Sequence, residues 1–191
     1  KNLVNFFSWF CPEYGQKTPP LKRLSLRNTD LNNADLSLEL TRLWMRCGVE
    51  SLCLADNVKL DERGLSNLQV FTTSLTDLDI SSLSNVSSLD FIGPLQQNLR
   101  TLTIIGLPKL KASAFHVFCD NPDSFLHLRK IDMRGSCTNQ KKDTLRKTFD
   151  MLLKNINIKY RLEELCVQNV PNDYESDDYP TDKFRDEKVI F

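Results

Sequence analysis

Apolar side chains recur along this chain in a six-fold phrase, L-x-x-L-x-L, with an aliphatic residue or Met at each marked position. The copies are Leu21/Leu24/Leu26, Val49/Leu52/Leu54, Leu75/Leu78/Ile80, Leu99/Leu102/Ile104, Leu128/Ile131/Met133 and Leu162/Leu165/Val167. Within each copy the L-x-L alternation has the period of two that belongs to a β-strand. The marked residues then face a core, and the residues between them face the other way. Successive copies start roughly 24 to 34 residues apart, which is the spacing of a repeat array. One such unit cannot bury its apolar face alone, whereas stacked units can. The pattern predicts one repeat domain of about six units over 21–170.

The segments between the phrases predict helices. Leu36, Leu38, Leu40, Leu43, Trp44 and Cys47 form a mostly i, i+3, i+4 stripe, with Asp35 near its start and Gly48 after its end. Leu65, Leu68 and Phe71 form a shorter stripe. Leu89, Phe91, Ile92 and Leu95 form another, which Gly93-Pro94 is expected to break. Ala112, Phe115, Phe118 and Cys119 form a fourth, stopped near Pro122; Leu145, Phe149, Leu152, Leu153 and Ile156 form the longest. After the first two strands, Asn28 and Asn57 lie where an Asn side chain can satisfy exposed backbone groups. Later copies lack that Asn, so their turns must be built differently.

Parallel strands joined by helices curve one way, because helices are wider than strands. The expected fold is α/β, a solenoid or horseshoe with parallel concave strands and convex helices. On these phrases and connectors the chain resembles the leucine-rich repeat family. It looks most like the intracellular ribonuclease-inhibitor-like and cysteine-containing, F-box-associated types. The resemblance implies a binding module that meets a protein partner on its concave face, such as a ubiquitin-ligase substrate receptor, a scaffold or an adaptor. No F-box is visible within the chain.

The ends differ from the middle. Residues 1–20 hold Leu3, Val4, Phe6, Phe7, Trp9 and Phe10, which suits an N-terminal cap or a truncated repeat before Pro19-Pro20. The first residue is Lys rather than Met, which reads as a fragment or a processed chain. Residues 171–191 are rich in Asp and Glu and read as an acidic tail, or as a cap in which Val189, Ile190 and Phe191 fold back.

Formal charge sums to zero, so bulk attraction to nucleic acid or to a membrane surface is not indicated. Counted by segment, it runs about +3 over 1–48, −5 over 49–98, +6 over 99–170 and −4 over 171–191. No apolar run approaches the roughly 20 residues needed to span a bilayer. Cys11, Cys47, Cys53, Cys119, Cys137 and Cys166 form no C-x-x-C pair, so neither a zinc site nor clustered disulfide caps are expected. A reducing compartment follows, cytoplasm or nucleus, against which stands one glycosylation sequon at Asn85-Val86-Ser87.

No catalytic, cofactor-binding or metal-binding residues are expected. His116 and His127 lie off the shared strand face, no Gly-rich phosphate loop or G-x-S-x-G turn occurs, and Cys53 and Cys166 are expected to be surface thiols without a paired His. The candidate partner-binding residues are Arg23, Arg27, Asp77, Asp79, Arg100, Arg129, Lys130, Asp132, Arg134 and Glu164. Ala55 and Ser81 fall on the same expected surface. The partner class is protein; a membrane, a nucleic acid or a small molecule is not expected. The nucleic-acid alternative would use Arg129, Lys130, Arg134, Lys141, Lys142, Arg146 and Lys147. Asp132, Asp143 and Asp150 are interleaved there, and stacking aromatics are missing. Two short motifs remain. Leu162–Val170 partly matches an elongin-docking box, with Arg161 wrong for it. Lys188-Val-Ile-Phe191 matches a phosphatase-docking motif that adds a strand to a sheet edge.

Overall fold

The structure is a computed structural model that describes Phe7, residues 20–119, Asn121, 124–136, Leu152, 155–167 and 189–190. The expected helix over 145–156 lies largely outside these residues, as do the N-terminal cap apart from Phe7 and Pro20, and the acidic segment before Val189.

The phrases fold into strands β1 (Arg23–Ser25), β2 (Ser51–Cys53), β3 (Asp77–Asp79), β4 (Thr101–Thr103), β5 (Lys130–Asp132) and β6 (Glu164–Cys166). A short β7 (Val189–Ile190) follows. All are parallel and lie in chain order. With helical connectors between them, this is an α/β fold. The register aligns one apolar row, Leu24, Leu52, Leu78, Leu102, Ile131 and Leu165. From β2 onward every marked phrase residue is buried; Leu21, Leu24 and Leu26 of the first phrase are only half-buried. Each fully buried aliphatic contributes roughly 1.5–3 kcal/mol.

Backbone hydrogen bonds carry the ladder beyond the strands at both ends. Before them, Glu50 N–H donates to Lys22 O at 2.9 Å and Arg100 N–H to Thr76 O at 2.7 Å. After them, Asn28, Asp56, Ser82 and Gly106 donate to the next repeat at 2.8–2.9 Å. These four residues and Gly135 share one place, seven positions after each phrase begins, and all have positive φ (+52°, +62°, +61°, +65° and +67°). The chain turns out of each strand through one left-handed residue, a conformation that Gly, Asn and Asp tolerate best.

The connectors depart from the expected helices. Helix α1 (Leu38–Arg46) is regular: Ser37 caps its start, accepting from Leu40 N–H, and Gly48 at φ +83° ends it. Trp44 is fully buried and meets Phe7 edge-on at 5.6 Å. The next connector has one α-turn, α2 (Glu62–Leu65), and then continues as a 3₁₀ helix, Ser66–Phe71. The third (Asp90–Leu95) and fourth (Ala112–Phe118) are 3₁₀ helices throughout. Pro94 sits inside the third without breaking it. The physical reason lies in the spacing. Leu65/Leu68/Phe71, Leu89/Ile92/Leu95 and Phe115/Phe118 recur every third residue, the period of a helix with three residues per turn. All eight side chains are buried. The last connector enters β6 through α3 (Ile156–Arg161), so Ile156 opens a new helix rather than closing the expected one.

Candidate partner-binding face

Two rows of side chains alternate with the buried leucine row. One is Arg23, Ser51, Asp77, Thr101, Lys130 and Glu164; the other is Ser25, Cys53, Asp79, Thr103, Asp132 and Cys166. Most of these residues are exposed or half-buried, and Arg27, Arg100, Arg129 and Arg134 lie just outside the strands. Six of the ten candidate residues thus lie in these two rows, Arg134 bonds to Asp132 beside them, and Arg27, Arg100 and Arg129 flank the strands.

Four expectations for this face need correction. Ala55 and Ser81 are buried, both being short side chains, and Ser81 Oγ is held between Asp79 and Ile105 N–H, whereas Arg27 and Arg134 at the same phrase position are exposed. Asp132 is 4% exposed and lies under its neighbour's guanidinium: Arg134 Nε donates to its Oδ1 at 2.9 Å and Nη2 to its Oδ2 at 2.7 Å. It orients Arg134 and offers little of itself to a partner. Cys166 is also 4% exposed rather than a surface thiol, and its Sγ–H donates to Glu164 Oε1 at 3.0 Å. Burial, helped by that carboxylate and by Asp132, pushes the thiol up to about 11, far from nucleophilic use at neutral pH. Burial likewise raises the thiol of Cys53, whose Sγ–H donates to Asp79 Oδ2 at 3.3 Å.

The basic fifth strand does not carry a free positive charge. Lys130 pairs with Glu164 at 2.7 Å, Arg129 with Glu163 at 3.3 Å and Arg134 with Asp132 at 2.7 Å. The hydrogen bond to Glu164 raises Lys130 above its usual value; Cys166 and then Lys130 hold the Glu164 carboxyl below the usual range. At the other end, Lys22 pairs with Glu50 at 3.2 Å and Arg27 with Asp56 at 2.6 Å. Among the described residues, Arg23, Asp77, Asp79 and Arg100 have no opposite charge within ion-pair distance. Lys141, Lys142, Arg146 and Lys147 of the nucleic-acid alternative lie outside the described residues.

His116 and His127 are exposed, and neither lies on the strand face. Among the described residues, no three His, Cys, Asp or Glu side chains are placed to hold a metal ion, and no helix is long and apolar enough to cross a membrane. Val189 and Ile190 of the docking-like C-terminal motif pair with Leu165 and Cys166. The step from Leu165 to Val189 equals that from Leu78 to Leu102, so Val189 occupies the register place of a seventh phrase.

Three inter-repeat clamps carry no signal in the L-x-x-L-x-L pattern. Buried Asn57 accepts from Leu31 N–H at 2.9 Å and Thr29 N–H at 3.1 Å, and donates to Leu26 O and Leu54 O, both at 2.8 Å. Ser136 repeats the device three units later, accepting from Leu107 N–H at 2.8 Å and donating to Ile104 O. Asn57 and Ser136 both stand eight positions after their phrase begins; Asn28 stands at seven and serves as a left-handed turn residue. Glu62 reaches the next repeat and accepts from Ser87 N–H, Ser87 Oγ–H and Ser88 N–H. The sequence already marked Asn57 for this role, and its side chain fills it; aligning the phrases by their starts, rather than looking for a repeated Asn, would have found Ser136 as well.

No protein-family model matches the chain, and a search of curated proteins finds no match.

Proposed function

We propose that this chain is a leucine-rich-repeat-like solenoid and acts as a non-enzymatic protein-recognition domain, its concave strand face being the binding surface. One observation carries the reading: six parallel strands in strict register present two polar rows, while the row between them is almost wholly buried. Such an array holds a wide set of polar side chains on a rigid backbone, which favours preorganised recognition. Its fixed pattern of charge steers and selects a partner more than it adds raw affinity. Free thiols at Cys53 and Cys166 accord with a reducing compartment, cytoplasmic or nuclear, and with a scaffold, adaptor or substrate-receptor role. Pairing of Arg129, Lys130 and Arg134 with carboxylates counts against the nucleic-acid alternative, because counterion release needs unneutralised bases.

The test is comparative affinity capture with mass spectrometry, using wild type, the double variant Thr101→Trp/Thr103→Trp on the strand face, and Glu39→Ala/Arg42→Ala on α1. Partners lost only with the strand-face variant, at unchanged melting temperature, support the reading. Equal capture by all three proteins removes this face as the site.

A further inference from the structure

Ion pairing divides the polar face into two walls and a floor. One wall holds the pairs Lys22–Glu50 and Arg27–Asp56, and the other holds the three pairs of the fifth and sixth repeats. These long side chains neutralise one another. The floor between them is built from short, half-buried side chains, Ser51, Cys53, Thr101 and Thr103. From its middle strand rise Asp77 and Asp79, roughly 6–7 Å apart as alternate residues of one strand.

Both carboxylates are oriented by hydrogen bonds and, among the described residues, have no cation within ion-pair distance; the Arg27 guanidinium, itself paired with Asp56, acts on Asp79 only through space. Asp79 Oδ1 accepts from Ser81 N–H at 3.0 Å and from Ser81 Oγ–H at 2.6 Å, and its Oδ2 accepts from Cys53. Asp77 Oδ2 accepts from Thr76 Oγ1–H at 2.7 Å. An ionised carboxylate has about four lone-pair sites, so both keep acceptor capacity toward the open face. Among the described residues, every other carboxylate on this face has a basic partner. The opposite signal lies beside them. Exposed Arg100, just before the next strand, and Arg23, two strands away, would repel a run of positive charge.

We propose that the floor receives an extended segment of a protein partner carrying one lysine or arginine, whose cation seats between Asp77 and Asp79, with uncharged or acidic residues on either side. The proposal rests on the strand face being the recognition surface and adds the chemistry of what it recognises. Short floor residues leave room for an incoming side chain, the walls fix its position, and the two fixed carboxylates supply the complementary charge.

The experiment is selection of a degenerate decapeptide library on the immobilised chain, wild type and Asp77→Asn/Asp79→Asn. The expected result is enrichment of peptides with one basic residue at a constant place. For a selected peptide, replacing its arginine by neutral citrulline, or its lysine by norleucine, should weaken binding at least tenfold. The double Asn variant should erase that difference while keeping its melting temperature. Amide chemical shifts should move on β2, β3 and β4. Peptides enriched without a basic residue that still shift those amides would overturn the cation and leave the recognition face standing. Shifts confined to other elements, or no enrichment at all, would overturn both.

Discussion

Asn57→Ala tests the claim that a single buried amide joins the first two repeats. The Asn57 side chain is fully buried, and both its donor and acceptor ends are in use. Truncation removes one bond from each of four backbone groups, of which Leu26 O still accepts from Thr29 Oγ1–H. Thr29 N–H and Leu26 O are part-buried and can turn to water, whereas Leu31 N–H and Leu54 O are enclosed. A buried backbone group that loses its partner costs about 1–3 kcal/mol, so two of them place the loss near ~3 kcal/mol after some relaxation. For a domain of this size that is a fall in melting temperature of roughly 6–12 °C.

Asn57→Asp sharpens the test. It keeps the acceptor oxygen but loses both donated bonds, and it sets a second carboxylate oxygen against the carbonyls of Leu26 and Leu54. Burial beside carbonyls raises the folded-state pKa of such an acid above its unfolded value. The variant is therefore least stable above that folded value and recovers as pH falls through it, because the protonated acid can donate again. Urea unfolding at pH 7 and pH 4 measures both effects, with an unchanged m-value confirming that the unfolding transition is the same. A loss below ~1 kcal/mol for Asn57→Ala, or wild-type stability of Asn57→Asp at pH 7, would refute the reasoning.

Leu102→Ala removes a fully buried residue of the central apolar row and should cost about 2–5 kcal/mol, while Thr103→Ala beside it should cost well under ~1 kcal/mol; equal losses in denaturation would break the assigned strand phase. Burial opposes ionisation of Glu62, but hydrogen bonds from Ser87 and Ser88 outweigh it and hold its carboxyl below the ordinary value of 4.5. Its stabilisation is therefore full above that unfolded value and lost as pH falls through the folded one. Glu62→Gln should lower the melting temperature at pH 7, and the gap should narrow below about pH 4; a gap constant with pH contradicts the clamp. With its thiol near 11, Cys166 should react with iodoacetamide at pH 7.5 more slowly than free cysteine, read by peptide mass spectrometry. Faster labelling would mean that the thiol is open and ionised.

The strand phase was legible because burial enforces it. A one-residue slip would turn Leu52, Leu78 and Leu102 to the polar face together, so the alternation can be read without knowing the fold. The connectors were less legible, because α and 3₁₀ stripes both place apolar residues at i and i+3. The distinguishing mark was a fully buried row recurring only every third residue, Leu65/Leu68/Phe71 and Leu89/Ile92/Leu95, a weak sign in short segments because Phe91 and Leu95 also supply an i+4 pair. The left-handed turn was hidden for another reason. Its positions hold Asn28, Asp56, Ser82, Gly106 and Gly135, five places satisfying one backbone need with four residue types. Conformation was repeated there while identity was not.

Charge shows most plainly how the frame of reading decides the answer. Summed along the chain, residues 99–170 look strongly basic and invite an anionic partner. In a parallel in-register sheet, however, a side chain's close neighbours are one repeat away, not one residue away. Lys130 and Glu164 stand 34 positions apart in the chain and 2.7 Å apart in space. Placing Leu162-Glu163-Glu164 beneath Leu128-Arg129-Lys130 pairs both bases with both acids before any coordinates are known. The same alignment places Thr76-Asp77 beneath Glu50-Ser51 and above Arg100-Thr101, leaving no base directly opposite Asp77. The charge pattern of the strand face is thus set by the phrase register, and among the described residues it leaves carboxylates without an ion-pair partner on β3 rather than unpaired bases on β5.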